Sequence, residues 1–115
     1  MRFRPKRSSR VNAGAAPRRA VFHPASQDEF DEILAYLGAE APAVVEAFRE
    51  EMIRTVAFIE EHPEAAAVER GDVRRKLLMR FPYELYYVAE PDRLRVLAVA
   101  HQRRRPGYWM DRLKS

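Results

Sequence analysis

Residues 73–101 read VRRKLLMRFPYELYYVAEPDRLRVLAVAH, and this stretch decides the fold. It predicts three strands, over 73–81, 83–88 and 94–101. The second alternates with period two: Tyr83, Leu85 and Tyr87 share one side, and Glu84, Tyr86 and Val88 share the other. Pro82 parts the first two strands, because proline has no N–H for a sheet ladder. Glu90-Pro91-Asp92 supplies a turn between the next two. Connections this short require antiparallel neighbours, since a parallel crossover needs a dozen or more residues. Leu94 to Ala100 is apolar at nearly every position, which predicts a central strand covered on both faces.

Upstream, Arg19 to His23 reads as a short first strand that Pro24 ends. Ser26 followed by Glu29 fits a helix capping box. Phe30, Ile33, Leu34 and Leu37 recur at helical spacing, predicting a helix over 27–38 that stops at Gly38. A second helix starts near Ala41, with Pro42 at its first position, and ends before Pro63. Val45, Phe48, Met52, Val56 and Ile59 line one of its faces. The expected order is therefore β-α-α-β-β-β, an α+β domain over 19–115 with a helical hairpin laid on an antiparallel sheet.

Residues 1–18 show no periodicity and read as a flexible basic arm, either a contact for nucleic acid or a segment without a role. The net charge of +4 conceals an uneven distribution. Segments 1–23, 24–69 and 70–115 carry balances of +7, −10 and +7. This asymmetry points to a polyanionic target, an acidic protein partner, or blocks that neutralise one another in the fold. Cysteine is absent, which excludes disulfides and thiolate chemistry and is compatible with a reducing, cytoplasmic setting. No apolar run is long enough to span a bilayer, so no membrane association is expected.

No phosphate-binding loop, zinc motif, nucleophile elbow or dinucleotide turn occurs, and no cofactor or metal is expected. The dense block is His101-Gln102-Arg103-Arg104-Arg105-Pro106-Gly107-Tyr108-Trp109-Met110-Asp111-Arg112. Three adjacent guanidiniums cannot be buried unpaired, so Arg103, Arg104 and Arg105 must face solvent, acids or a partner. Arg112 extends the same cationic block. Tyr108 and Trp109 either stack on bases or pack under the sheet. By alternation, Arg74, Lys76 and Arg80 share one face of the 73–81 strand. They form a solvated stripe or meet the acidic helices. His101, ending the apolar strand beside the arginines, is either a structural histidine or a general acid–base, a role to which imidazole is suited.

The pieces RFPYELYY, VLAVAH and RRRPGYWMDR, at this spacing across residues 70–113, resemble the RelE/ParE superfamily of toxins from type II toxin–antitoxin and plasmid-stabilisation systems. The two preceding helices extend the likeness back to about residue 19. The resemblance implies a helical hairpin on a twisted antiparallel sheet. It also implies a cognate antitoxin that covers the active surface in a toxin–antitoxin hetero-oligomer. ParE-like members inhibit DNA gyrase; RelE-like members cleave messenger RNA in the ribosomal decoding site. The positions matching the ribonuclease branch are Arg74, Lys76, Arg80, Arg104 and Tyr108, which would orient the phosphate, stabilise its charge and assist the 2′-hydroxyl. Only Lys76 among them is a lysine, and arginine is a poor proton donor. Proton transfer would then fall to His101, Tyr108 or Lys76. The arrangement favours gyrase inhibition, with mRNA cleavage and a non-catalytic nucleic-acid-binding module as alternatives. The catalytic candidates are Arg80, His101, Arg104 and Tyr108. The target-binding candidates are Arg74, Lys76, Arg103, Arg105, Trp109 and Arg112.

Overall fold

A computed structural model of the chain describes residues 18–114. The expected basic arm lies outside the described residues except for Arg18, whose Nε donates to the Pro91 carbonyl at 3.4 Å. The elements run β1 (Ala20–Phe22), α1 (Pro24–Glu40), a single 3-10 turn (Pro42–Val44) and α2 (Val45–Glu61). Then come β2 (Ala67–Arg70), β3 (Val73–Leu77), β4 (Tyr83–Ala89), β5 (Leu94–His101) and a closing 3-10 segment (Met110–Lys114). The fold is α+β, with the helices packed on one five-stranded sheet of order β1-β5-β4-β3-β2.

The sheet differs from expectation in two ways. It is mixed, because β1 pairs parallel with β5 (Ala20↔Leu94, Phe22↔Val96) while the other neighbours are antiparallel. Two helices separate β1 from the rest of the sheet, and a connection of that length permits a parallel return. An extra strand, β2, lies on the far edge. It is four residues long, mostly exposed and irregular in register, so it carries no alternation to read. Gly71 sits at φ +57° in the turn to β3, a left-handed conformation that suits glycine.

Helix α1 begins three residues earlier than predicted, with Pro24 at its first turn. Its cap is His23, whose Nδ1 accepts the Ala25 N–H at 3.0 Å. Ser26 is therefore inside the helix. Its buried hydroxyl donates to the carbonyls of His23 and Val96, at 2.8 and 3.0 Å, and so bolts α1 onto β5. Glu29, freed from the predicted capping box, points to β5 instead. Helix α2 starts after the Pro42–Val44 turn and stops at Glu61, short of Pro63.

The alternation in β4 divides the interior. Tyr83, Leu85 and Tyr87 join Phe48, Met52, Ile59, Val96 and Val99 beneath the helices. Tyr86 and Val88 join Val73, Leu97, Ala98, Ala100 and Trp109 on the opposite face. A bulge in β5 places Leu97 between the partners of Tyr86 (Ala98) and Tyr87 (Val96). Two consecutive β5 side chains, Leu97 and Ala98, therefore reach the same cluster. Apart from Arg95, β5 is apolar and buried from Leu94 to Ala100, as a strand covered on both faces must be.

Candidate functional site

Strand β3 ends at Leu77, four residues earlier than predicted. The chain then turns tightly, with the Leu78 N–H donating to the Tyr83 carbonyl at 3.0 Å. The buried Glu51 carboxylate of α2 captures the backbone N–H groups of Met79 and Arg80. Arg80 consequently leaves the stripe assigned to it and stands exposed on this loop, its guanidinium 6.0 Å over the Phe81 ring.

The loop after β5 lies beside it at the same end of the sheet. The Gln102 N–H donates to the Pro82 carbonyl at 2.9 Å, joining the two loops. His101 shapes the turn: its carbonyl accepts the Arg104 N–H at 2.9 Å and its Nδ1 accepts the Arg103 N–H at 3.1 Å. Arg103, Arg104 and Arg105 all project to solvent, and no ion pair among the described residues involves them. The three arginines form an exposed cationic rim, the backbone of the first two held by His101. Behind it runs a groove of about 660 Å³, floored by Leu37, Phe81 and Tyr83 and flanked by Tyr36, His101 and Arg104.

Arg74 and Lys76 are not part of that rim. Arg74 donates to the carbonyls of Glu64 and Ala66, at 3.1 and 2.7 Å, and so pins the link between α2 and β2. Lys76 sits 5.2 Å over the Phe58 ring on the helix side of the sheet. Both are half-buried. The expected stripe meets the end of α2, though through a backbone and a ring rather than through carboxylates.

The C-terminal segment corrects two further expectations. Trp109 is fully buried, its ring tilted against Tyr86 with centres 5.0 Å apart, and cannot present its indole to a target. Arg112 turns inward and forms a two-pronged pair with Glu29 at 3.0 Å. Gly107, at φ +77°, makes the reversal that brings this segment back under the sheet.

Tyr108 is held by the same carboxylate, its hydroxyl donating to Glu29 Oε2 at 2.8 Å. Burial pushes the Tyr108 phenol above its ordinary value, and the Glu29 carboxylate reinforces the shift. Burial likewise raises Tyr83 and Tyr87, and it raises Tyr86 to about 12 with help from its hydrogen bond to Glu84. None of these phenols is prepared to act as a base near neutral pH. The Arg104 guanidinium lies over the Tyr108 ring, 3.8 Å from the ring centre. The assembly is therefore fitted to bind anionic groups through guanidiniums. No group of three or more His, Asp or Glu among the described residues could hold a metal ion, and no described helix is long and apolar enough to cross a membrane.

The family model of the ParE toxins of type II toxin–antitoxin systems, parDE, matches residues 20–106. The chain belongs to the ParE toxin family. Its general role is that of a toxin in a toxin–antitoxin system, and an antitoxin is its partner. The ParE match covers all five strands and both helices but stops before Tyr108. Among solved structures, the chromosomal ParDE TA system from P. aeruginosa holds a chain of similar fold. The TM-score is 0.65 at 13% identity, over 75% of this chain and 97% of that one. No curated protein matches the chain.

Sequence reasoning missed Glu29, Glu51 and Arg95 as organisers of this ParE surface. Arg95 carried a legible signal, a lone charge in an apolar strand. Glu29 was legible only as half of a capping motif, and Glu51 was one acid among many on α2.

Proposed function

We propose that this toxin arrests growth by inhibiting DNA gyrase, and that its cationic rim is the surface that engages the enzyme or the DNA held by it. The observation that carries this reading is the state of Arg103, Arg104 and Arg105. The backbone N–H groups of Arg103 and Arg104 are held by His101, all three side chains are exposed, and no carboxylate among the described residues forms an ion pair with them. Guanidiniums held in this way meet phosphate or carboxylate without first breaking an internal pair. Arg80 adds a fourth charge from the neighbouring loop.

The chemistry at the rim supports binding over strand cleavage. The Tyr108 hydroxyl is committed to Glu29 and its proton is held more tightly than usual. His101 uses Nδ1 to hold its own turn. Arginine stabilises charge but does not donate protons readily. The family membership points the same way, because ParE-like toxins are the gyrase-directed branch of the superfamily.

The test is the supercoiling of relaxed plasmid by purified gyrase and ATP, with the toxin titrated in. Dose-dependent loss of supercoiled product, restored by the cognate antitoxin, is the expected result. Unchanged supercoiling together with codon-specific transcript cleavage on ribosomes would assign the toxin to the ribonuclease branch instead.

A further inference from the structure

We infer that Glu29 is the positioning residue of the cationic rim: through Tyr108 it sets the direction in which Arg104 faces the target. The inference rests on the proposed role of the rim and deepens it by adding a residue remote from the arginine triplet in sequence.

Glu29 lies on α1 with a side chain only 13% exposed, and its carboxylate accepts four hydrogen bonds. Oε1 takes the Val99 N–H of β5 and one Arg112 amine, both at 3.0 Å. Oε2 takes the Tyr108 hydroxyl at 2.8 Å and the second Arg112 amine at 3.0 Å. One carboxylate thus ties a helix, a strand and the C-terminal segment together. Arg112 is neutralised in place and donates also to the Leu97 carbonyl at 2.9 Å.

The Tyr108 ring, fixed at its hydroxyl, becomes a platform. Arg104 lies over it at 3.8 Å, while Arg112 is more distant at 5.1 Å. A guanidinium stacked on an aromatic face keeps its in-plane N–H groups directed outward. Arg103 and Arg105 have no such ring among the contacts of the described residues. Arg104 is therefore the preorganised member of the triplet, and its preorganisation passes through Tyr108 to Glu29. Immobilising a flexible side chain before contact removes part of the ordering cost of binding.

The experiment is a double-mutant cycle of Glu29→Gln and Arg104→Ala, read in gyrase supercoiling and, separately, in growth arrest in cells. Each single variant is expected to weaken inhibition by about tenfold, the scale of one charge-assisted contact. The double variant is expected to be no weaker than Arg104→Ala alone, because Glu29 acts through Arg104. The Arg104 Nε–H proton resonance, shifted upfield by the Tyr108 ring, should return toward the free value in Glu29→Gln. Losses that multiply in the double variant, or Arg104→Ala matching wild type, would overturn the inference. If Glu29→Gln does not fold, Tyr108→Leu removes the platform while leaving the Glu29–Arg112 fork, and the same non-additivity with Arg104→Ala is required. A wild type that arrests growth without touching supercoiling defeats the gyrase reading alone, because the growth-arrest cycle tests Glu29 whatever the target.

Discussion

Arg95, in the second position of β5, reaches the closing 3-10 segment: its Nη2 donates to the Leu113 carbonyl at 2.8 Å. A second prong from Nη1 meets the Arg112 carbonyl at 3.1 Å, and Nε meets Glu90 at 3.0 Å. A buried guanidinium thus stands where the apolar run of β5 called for another aliphatic side chain. It bolts down the segment that holds Trp109. Arg95→Ala removes the donor to the two carbonyls and one of the two arginines on Glu90, Arg93 keeping the other, and is expected to cost about 1–3 kcal/mol. Urea unfolding should show that loss. Amide exchange at Trp109 to Leu113 should accelerate by more than the global change accounts for.

Trp109 gives a second, spectroscopic prediction. The only tryptophan is fully buried against Tyr86, so its emission should be blue-shifted and poorly quenched by acrylamide. Saturating amounts of DNA or RNA should leave that emission in place. A red or quenched signal on adding nucleic acid, without unfolding, would return Trp109 to the target surface. Trp109→Ala is expected to destabilise by about 3–5 kcal/mol.

Alkaline pH should weaken the fold in a predictable window. Tyr86 is raised from 10.0 to about 12, first by burial and then by its hydrogen bond to Glu84. The unfolded chain gives up this phenolic proton first. Between those two values the folded state therefore binds more protons, and stability falls as pH rises. Tyr86→Phe should flatten that slope without abolishing it, because Tyr83, Tyr87 and Tyr108 are raised as well. Urea unfolding series at several alkaline pH values check this, and equal slopes in the two proteins would refute it.

Glu51 offers a local test. Its buried carboxylate accepts the N–H groups of Met79 and Arg80, the latter at 3.2 Å. Glu51→Ala leaves both donors without that partner and is expected to cost about 1–3 kcal/mol. Hydrogen exchange at these two amides should rise from protected to nearly free. Protection that persists in the variant would show that the loop is held by other means.

These tests follow the line between what the sequence made legible and what it hid. The period-two run in β4 and the unbroken apolar run in β5 announced the sheet, because alternation and burial leave direct marks on residue choice. Pro24, Pro42, Pro63 and Pro82 marked the boundaries because proline has no N–H for a ladder or a helix interior. The four-residue edge β2 left no mark, since an exposed strand buries nothing that would select its side chains. Ser26 and Glu29 satisfied a capping motif that a proline two residues earlier pre-empted, and both were redeployed against β5. The exposed Arg103–Arg105 triplet was legible from the cost of burying charge. The fate of Arg112 and Tyr108 was not, because it depends on one carboxylate 79 to 83 positions away in the chain.

The antitoxin should sense the same charges. If an acidic antitoxin covers the rim, its association rate should fall steeply with added salt while its dissociation rate changes little. Stopped-flow mixing at several ionic strengths measures both. A flat association profile would place recognition on the apolar groove rather than on the arginines.

The most direct measurement compares wild type with the Arg103, Arg104 and Arg105 triple alanine variant in gyrase supercoiling of relaxed plasmid, at matched folded concentration. The three side chains are solvated and form no ion pair among the described residues, so the unfolding midpoint should barely move while inhibition is lost. Full inhibition by a folded triple variant would contradict the assignment of the toxin's activity to this rim.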